Sequence, residues 1–387
     1  MKIGFVCGEY PPCNNGGIGT YTKELAEGLV NKGHDVIVFG FYYPYYLKLE
    51  REISEKINGV EIIRLPFKKY SRISVLNEII NRFSFWRYTR KIIVEKNLDV
   101  IEVYDSTGVL PFPVGVPKIT RLHGSVTFFG KELNRPFSRA SYWFEYFQLL
   151  TSTEIIGVSK YVLLKTRDYF KIKNEGRVIY NSVYMPVFNE WLRDELNQEK
   201  YLLFFGSLLP KKGIEQLVES MNIVLRKFPD VKLYVVGKSD ITKSGLPFTD
   251  YLLSLLEPNF RENIVFYGHR SKEELLPLIK DSYCCVLPSH SECFSLAPME
   301  AMTVGVPVIY SCLHSGPELI DSGIDGLLVD PGNVNDIAEK IISLLEDPEF
   351  SRNLGKRGQL KINNKFNFLH WLNTNEEFFL KYNKHKQ

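Results

Sequence analysis

Two glutamates, Glu292 and Glu300, stand eight positions apart in the stretch PSHSECFSLAPMEAMTVGVP, which covers residues 288–307. In one continuous α-helix, eight steps of about 100° would leave the two carboxylates roughly 80° apart around the axis and about 12 Å apart along it. The pair would therefore not share a small target such as a metal ion. We expect instead that a loop carries Glu292 and a helix carries Glu300, so that one extended ligand touches both.

The surrounding residues favour this arrangement. CCVLPS predicts a strand and SHSECF a loop, while Ser295 is a candidate N-cap and Pro298 is tolerated in the first turn of a helix that ends near Thr303. Carboxylates accept hydrogen bonds from neighbouring hydroxyl groups. Two of them on either side of an anion site suit a ligand with a hydroxylated ring at each end of a phosphate bridge. A nucleotide sugar has this form.

A glycine-rich loop, NNGGIGTY at residues 14–21, follows the first predicted strand and opens a helix. Gly16 and Gly17 would let backbone N–H groups approach an anion at the positive end of the helix dipole. A dinucleotide fingerprint does not fit, because a third glycine is missing at the required spacing and the second strand ends without an acidic residue for a ribose. A tight turn without a ligand and a phosphate-binding loop remain equal alternatives.

A second loop of this kind, GSLLPKKG at residues 206–213, places Lys211 and Lys212 at the start of another helix. Lysine at a helix N-terminus is unfavourable unless an anion is present, because the helix dipole is positive there. A bound phosphate would explain both lysines. A solvated pair of surface lysines is the alternative.

The elements that must position these residues alternate between apolar runs and helical patterns, which predicts parallel sheets covered on both faces. The alternation restarts after residue 200, so we expect an α/β protein with two Rossmann-like, doubly wound domains facing a central cleft. The first domain covers residues 1–185 and the second covers 186–365. Residues 366–387 are expected to form an amphipathic helix that crosses back to the first domain. The predicted strands are KIGFVCG, HDVIVFG, DVIEVY, KITRLHG, EIIGVS, KYLLFFGS, VKLYVVGK, NIVFYG, CCVLPS and VPVIYS.

Length and composition exclude several classes of protein. A chain of 387 residues favours two domains, and a net charge of +3 gives no sign of a nucleic-acid partner. The N-terminal apolar run is too short for a secretory signal, and no segment reaches about 18 uncharged apolar residues. We therefore expect a cytoplasmic protein with reduced cysteines in its cores. The six cysteines are Cys7, Cys13, Cys284, Cys285, Cys293 and Cys312.

Taken together, these motifs resemble the retaining GT-B glycosyltransferases often called family four. That family has a Gly-Gly loop after the first strand, a Gly-Arg…Lys-Gly loop opening the second domain, and Glu-x7-Glu followed by Ala-Met and G-x-P-V-I. Here these read GGIGTY, GSLLPKKG and ECFSLAPMEAMTVGVPVI, and residues 314–333 match the stretch that follows. The resemblance covers nearly the whole chain. It implies a retaining transfer of a hexosyl unit from a nucleoside diphosphate sugar to a hydroxyl acceptor.

The resemblance also implies roles for individual residues. Lys212 would neutralise the donor diphosphate, Glu300 would bind the nucleotide ribose, and Glu292 would bind the transferred sugar. His123, in RLHG after a first-domain strand, matches the histidine beside the sugar, whereas without the resemblance a capping or core histidine is the alternative. The implied catalytic residues are thus Glu292, His123 and Lys212, and the donor-binding residues are Gly16, Gly17, Ser207, Lys212, Phe294, Ser295, Leu296 and Glu300.

Ser207 stands where the family commonly has an arginine, which removes a cation from the site; Lys211 is a candidate replacement. No Asp-x-Asp motif is present, so we expect neither a metal nor a cofactor beyond the donor. A sugar-nucleotide epimerase of the same fold and a non-catalytic sugar-nucleotide binding protein are the alternative functions. They differ from a transferase because only a transferase releases free nucleoside diphosphate when an acceptor is added.

The acceptor cannot be identified from the sequence, which allows a sugar, a glycolipid or a small molecule. Residues 64–96 carry nine basic and two acidic side chains, interleaved with aromatic residues. This segment would suit peripheral contact with an anionic membrane. An ordinary helix with a solvated basic face is the alternative. The interleaved aromatic residues are Phe67, Tyr70, Phe83, Phe85, Trp86 and Tyr88.

Overall fold

The computed structural model describes residues 1–12, 16–42, 47–68, 74–184, 201–239 and 247–383. The chain divides into two compact units. The first unit consists of Met1–Tyr184 and Phe368–Gln387, and the second consists of Met185–Asn367.

In the described part of the first unit, eight strands form one sheet in the order β3-β4-β2-β1-β5-β6-β7-β8. All neighbouring strands are parallel except the antiparallel pair β3 and β4 at one edge. The strands are β1 (Lys2–Val6), β2 (Asp35–Tyr42), β3 (Ile53–Ile57), β4 (Val60–Pro66), β5 (Val100–Tyr104), β6 (Lys118–Leu122), β7 (Glu154–Gly157) and β8 (Arg177–Val178).

The central strands of this sheet are apolar on both faces. Helices cover both faces and so bury these side chains away from water. Among the first five described helices, α1 and α2 lie against separate hydrophobic clusters. A short 3₁₀ turn spans Ser106–Gly108. The five helices are α1 (Gly17–Asn31), α2 (Ser74–Lys96), α3 (Val126–Glu132), α4 (Arg139–Leu150) and α5 (Lys160–Phe170).

In the described part of the second unit, six strands form an all-parallel sheet in the order β11-β10-β9-β12-β13-β14. The strands are β9 (Tyr201–Phe205), β10 (Lys232–Val236), β11 (Ile264–Gly268), β12 (Cys284–Leu287), β13 (Val308–Ser311) and β14 (Leu327–Val329). The helices are α6 (Ile214–Lys227), α7 (Phe248–Ser254), α8 (Lys272–Asp281), α9 (Leu296–Thr303), α10 (Gly316–Leu319), α11 (Val334–Glu346) and α12 (Pro348–Lys365).

The last helix, α13 (Phe368–Leu380), belongs to the first unit and packs on α1. Its apolar face enters the same hydrophobic cluster as β1 and α1. A Cβ atom on Gly28 would lie 2.7 Å from Leu372 Cδ1, so this glycine lets the two helices approach closely.

Each strand predicted from an apolar run is present, but the structure contains additional strands. The strands β3, β4, β8 and β14 were not predicted. The strands β8 and β14 are short, β3 reads ISEKI and is largely exposed, and β4 reads VEIIRLP, in which charged residues interrupt the apolar run. The expectation of a purely parallel first sheet is wrong at this edge, since β3 and β4 form a hairpin at Asn58 and Gly59, both with positive φ.

The prediction that all cysteines are core residues is wrong at one position. Four of them are buried free thiols, namely Cys7, Cys284, Cys285 and Cys293. Cys312 is exposed because it follows the last residue of β13, where the chain leaves the sheet. Cys13 lies outside the described residues.

Candidate functional site

The loop after β9 runs from Gly206 to Gly213, where α6 starts. A 3₁₀ turn spans Pro210–Lys212, and Gly213 has a φ of 71°, in the left-handed region. A Cβ atom on Gly213 would lie 1.8 Å from the carbonyl oxygen of Pro288. This loop therefore packs so closely against the loop after β12 that only glycine fits at the contact.

The two loops bring Lys212 and Glu292 together. Lys212 Nζ donates a hydrogen bond to Glu292 Oε1, and the two side chains are 23% and 16% exposed. Burial alone would raise the pKa of Glu292, but the charges of Lys212 and Lys211 outweigh this effect and hold that pKa below its usual value. Glu292 is therefore an ionised carboxylate at neutral pH. Both residues are predicted site residues, but their ion pair was not predicted from the sequence.

A backbone hydrogen bond also joins these loops. The N–H of His290 donates to the carbonyl oxygen of Lys211 over 2.8 Å, and His290 Nε2 lies 3.1 Å from Gln216 Oε1. Ser207 is exposed at the other end of the loop after β9. The cationic part of this loop is thus its end at Lys211 and Lys212, next to Glu292.

Glu300 lies on α9, the helix that the sequence predicts behind Glu292. Ser295 is the N-cap of this helix in an extended conformation. Phe294 is buried and Glu300 is half-buried. The prediction that Glu292 lies on a loop and Glu300 on a helix is confirmed.

In the first unit, α1 begins at Gly17 with Gly16 as its N-cap. The N–H of Gly16 donates to Glu9 Oε2 over 3.3 Å. Gly16 has a φ of −97°, which any residue adopts, and a Cβ atom on Gly17 would meet no described atom within 4 Å. A Cβ atom on Gly16 would lie 3.3 Å from Glu9 Oε2, so among the described residues only the side of Gly17 leaves room for a ligand to approach the backbone. Asn14 and Asn15 of the motif lie outside the described residues.

His123 follows β6 and packs its ring against Tyr21 of α1 and against Tyr104. The ring centroids are 4.7 and 5.1 Å apart, respectively. Burial and the positive charge of Arg121 lower the pKa of His123 to about 3, so the imidazole is neutral at neutral pH. Its Nε2 atom is buried and has no hydrogen-bond partner in the part of the chain that the structure describes. Such an atom is suited to a polar group of a ligand.

Asp105, which directly follows β5, holds the loop that carries His123. Its two carboxylate oxygens accept hydrogen bonds from the backbone N–H groups of His123 (2.9 Å) and Gly124 (3.1 Å). Burial raises the pKa of Asp105 to about 7. Asp105 was not among the predicted site residues, although an acidic residue directly after an apolar strand is a signal for it.

A buried charged network lies behind His123. Arg121 donates two hydrogen bonds of 2.8 Å to the carboxylate of Glu102 and one of 2.7 Å to Asn375 Oδ1 of α13. All three side chains are buried, and the Arg121 guanidinium lies 5.2 Å from the Tyr21 ring centroid. The helix α13 thus contributes to the packing that supports His123. The signal for this network is a charged residue within an otherwise apolar strand.

The predicted site residues fall into two groups, one in each unit. Gly16, Gly17 and His123 lie in the first unit, in the segments after β1 and β6. Ser207, Lys212, Glu292, Phe294, Ser295, Leu296 and Glu300 lie in the second unit, in the segments after β9 and β12. Each group lies at the carboxyl ends of parallel strands, where α/β proteins bind ligands.

Within the described residues, no group of three or more His, Cys, Asp and Glu side chains is placed to hold a metal ion. None of the described helices combines the length and the apolar character that crossing a membrane requires.

Family profiles match both halves of the chain. The profile of the glycosyl transferases group 1 matches residues 189–361, and that of Glycosyltransferase Family 4 matches residues 15–184. The chain belongs to the glycosyl transferases group 1. The resemblance inferred from the GGIGTY, GSLLPKKG and Glu-x7-Glu motifs is thereby confirmed at the level of the family.

Individual proteins similar to this group 1 glycosyltransferase cover it almost completely. An uncharacterized glycosyltransferase of Methanocaldococcus jannaschii is 29% identical over 95% of each chain. The N-acetyl-alpha-D-glucosaminyl L-malate synthase of Bacillus anthracis is 23% identical over 95% of this chain and 93% of its own.

Solved structures show the GT-B fold. Sucrose-phosphate synthase from Thermosynechococcus elongatus has a TM-score of 0.81 and 22% identity, with 98% of each chain covered. The Anabaena protein HepE, in complex with UDP-glucose, has a TM-score of 0.72 and 17% identity, with 98% of this chain and 100% of its own covered.

Proposed function

We propose that this protein is a retaining glycosyltransferase that moves a hexosyl unit from a nucleoside diphosphate sugar to a hydroxyl group of an acceptor. The observation that carries the proposal is the Lys212–Glu292 ion pair, with Glu300 on the helix that follows. One cation and two carboxylates on adjoining segments match the phosphate bridge and the hydroxylated rings of such a donor.

Similar proteins support this class of donor and acceptor. The Bacillus anthracis relative is named as an N-acetyl-alpha-D-glucosaminyl L-malate synthase, and HepE has been solved in complex with UDP-glucose. By analogy, a hexose on a nucleoside diphosphate is the donor that we propose for this chain.

In the second unit, we assign Glu300 to the ribose and Glu292 to the transferred sugar. Glu292 is suited to this role because it is ionised and half-buried, so its oxygens can accept hydrogen bonds from sugar hydroxyls. The ammonium of Lys212, with three N–H donors, can contact a phosphate oxygen while it remains beside Glu292. Backbone amides of Phe294, Ser295 and Leu296 at the start of α9 would add to the anion site.

In the first unit, we assign Gly16 and Gly17 to the diphosphate and His123 to the transferred sugar. Among the described residues the space beside Gly17 is open, which would allow its backbone N–H group to approach an anion. His123 would accept or donate one hydrogen bond through Nε2, since its ring is neutral and that atom has no partner among the described residues. It orients the sugar and does not act as a charged acid.

The chemical step would follow from positioning and from stabilisation of the leaving group. The acceptor oxygen attacks the anomeric carbon on the same face that the diphosphate leaves. The bond from the sugar to the phosphate oxygen breaks, and that oxygen takes the proton of the acceptor hydroxyl. Lys212 and loop amides would stabilise the departing diphosphate, so no metal or further cofactor is required. Because Ser207 supplies no charge, Lys211 would share this role.

The acceptor that we propose is a hydroxyl-bearing sugar, glycolipid or small molecule, consistent with polysaccharide, glycolipid or glycoconjugate synthesis. We place the reaction in the cytoplasm, where nucleotide sugars serve as donors, with peripheral contact at the inner face of the membrane.

One assay tests this proposal. The protein is incubated with a panel of α-linked nucleoside diphosphate hexoses and cell-extract acceptors in excess chelator, with mass spectrometry to identify products and proton NMR to assign the first-formed anomer. We expect nucleoside diphosphate release only when an acceptor is present, and an α-glycoside as the product. A β-glycoside would overturn the retaining mechanism, and release or isomerisation of sugar without an acceptor would overturn transfer itself. Activity that needs added magnesium would overturn metal independence.

A further inference from the structure

Two buried carboxylates bind the backbone of residues 123–127, which join β6 to α3. We call these residues the histidine segment. Asp105 accepts hydrogen bonds from its first two N–H groups, one on each oxygen. Glu145 of α4 accepts hydrogen bonds from the N–H groups of Val126 (3.0 Å) and Thr127 (3.2 Å), again one on each oxygen. Four of the five backbone N–H groups in the histidine segment are therefore bound by carboxylates.

The chemistry of these contacts specifies a carboxylate at both positions. Asp105 and Glu145 are 2% and 1% exposed, and a carboxylate that leaves water must regain hydrogen bonds inside the protein. An ionised carboxylate has lone pairs on both oxygens and no hydrogen, so it accepts two backbone N–H groups at once. The amide of asparagine or glutamine would instead turn an NH2 donor toward one of those N–H donors.

The helix α4 also holds the loop that supplies Asp105. Gln148, one turn after Glu145, donates a hydrogen bond to the carbonyl oxygen of Tyr104 (2.8 Å). It accepts another from the N–H of Leu110 (2.9 Å). Tyr104 directly precedes Asp105, so α4 fixes the loop after β5 through Gln148 and the histidine segment through Glu145.

These hydrogen bonds determine where the His123 ring lies. The two N–H groups that Asp105 binds belong to the peptide units on either side of the His123 Cα atom. Peptide units are planar, so fixing both of them fixes the direction of the Cα–Cβ bond. Gly124 has a φ of 97°, which glycine adopts without strain, so the residue type itself restricts the backbone little at this point. The ring contacts those of Tyr21 and Tyr104, so both the backbone and the side chain of the histidine are positioned.

We propose that Asp105 and Glu145 are positioning residues that hold His123 in the orientation in which it contacts the transferred sugar. The inference rests on the role proposed for His123, since the oxygens of both carboxylates are occupied by backbone N–H groups. Displacing a group that orients a reactant by about 1 Å can slow a reaction about 100-fold. Loss of either carboxylate should therefore lower kcat rather than donor affinity.

A double-mutant cycle tests whether the carboxylates act through His123. Asp105→Asn and Glu145→Gln are each made in the wild type and in His123→Ala. Steady-state rates are measured with the nucleoside diphosphate hexose and the acceptor extract that give a product in the panel assay. A pH of about 8.5 keeps Asp105 ionised, because burial raises its pKa to about 7. Thermal unfolding verifies that each variant is folded.

The matched control is Asp99→Asn. Asp99 directly precedes β5 and Asp105 directly follows it, so the two carboxylates lie at opposite ends of one strand. Asp99 is 1% exposed and also accepts a hydrogen bond from a backbone N–H group, that of Lys2, over 2.7 Å. Its replacement should lower stability, as the loss of a buried carboxylate does, without changing kcat.

Proton NMR of the free protein gives a second measurement that needs no substrate. The His123 ring contacts the rings of Tyr21 and Tyr104, so the chemical shift of its Cε1 proton depends on its position relative to them. The chain has seven histidines, and the signal that is lost in His123→Ala is that of His123. This signal should shift in Asp105→Asn and in Glu145→Gln and should stay in place in the control.

We expect each carboxylate variant to lower kcat about 10- to 100-fold, with the donor KM changed less than about threefold. In His123→Ala the same substitutions should lower kcat less than about twofold, because the group that they position is absent. Full losses in both backgrounds, or a His123 signal that does not shift, would overturn the proposal. A wild-type kcat in His123→Ala would instead overturn the role proposed for the histidine, whereas the NMR shift still shows whether the carboxylates position its ring.

Discussion

At the residue scale, the two carboxylates of the Glu-x7-Glu motif should fail in different ways when neutralised. Glu300→Gln should weaken nucleotide binding about 10- to 100-fold, because a charged acceptor to the ribose hydroxyls is lost in ground and transition states alike. Glu292→Gln should lower kcat about 100-fold with little change in nucleotide affinity. The carboxylate that is lost contacts the transferred sugar, whereas Lys212 remains available to the phosphate.

Calorimetry with the nucleotide and steady-state rates separate these effects. The control is Glu339→Gln on α11, an exposed carboxylate in the same unit. Equal losses of affinity in both motif variants would contradict the division between ribose and sugar. Unchanged kinetics in both would remove them from the site.

The pairing of Lys212 with Glu292 shows what residue types and spacing leave undetermined. The two residues are 80 positions apart, and each has a separate local signal, a basic loop and an acidic loop. Their contact depends on β9 and β12 being neighbours in the sheet, which no local pattern specifies. The same reason applies to Asn375, which is 254 positions from the Arg121 that it contacts. Long-range partners of a site are thus the part that the sequence could not predict.

At the element scale, the apolar runs predicted the central strands because burial on both faces requires continuous hydrophobic residues. The edge strands β3, β8 and β14 escaped prediction because they are short or solvated, and the inner strand β4 did because charged residues interrupt its apolar run. The beginning of α9 was also predictable, since Ser295 and Pro298 are typical of a helix N-terminus. The burial of Asn77 and Asn81 on α2, with Ile79 exposed, was not predictable, because a helical period alone does not show which face of a helix is turned to the core.

The close contact between the loops after β9 and β12 gives a prediction at this scale. Gly213→Ala should destabilise the second unit by more than about 2 kcal/mol, because it combines a left-handed φ with a collision against the Pro288 carbonyl oxygen. Gly323→Ala is a matched control: its φ is 82°, but an added Cβ would meet no described atom within 4 Å, so it should cost only about 1 kcal/mol.

Urea unfolding of both variants measures these costs, and nucleotide titration shows whether Lys212 has moved. We expect the alanine at position 213 to weaken nucleotide binding as well as stability, and the one at 323 to leave binding unchanged. Equal destabilisation by the two substitutions would mean that the backbone relaxes away from Pro288, and that the loop contact does not fix the position of Lys212.

At the scale of the whole molecule, two compact units need not unfold in a single step. A buried lysine provides a pH-dependent marker for the first unit. Lys118 of β6 donates to the carbonyl oxygen of Leu110 (2.9 Å) and to Thr151 Oγ1 (2.5 Å), and burial lowers its pKa to about 7. Its charge is therefore lost on folding at alkaline pH but retained in the unfolded chain up to its ordinary pKa of 10.5.

The unfolded chain consequently binds more protons than the folded one between pH 7 and about 10, so this group makes folding more favourable as the pH rises. Relative to Lys118→Met, the wild type should gain up to about 1.4 kcal/mol of unfolding free energy per pH unit between pH 7 and 9.5. Lys160→Met, a substitution of an exposed lysine in the same unit, should show no such slope.

Calorimetric or denaturant scans at several pH values should place the slope in the transition of the first unit alone. A parallel pH dependence of the wild type and Lys118→Met would show that Lys118 stays charged in the folded protein, and a single transition that carries the slope would show that the two units unfold together.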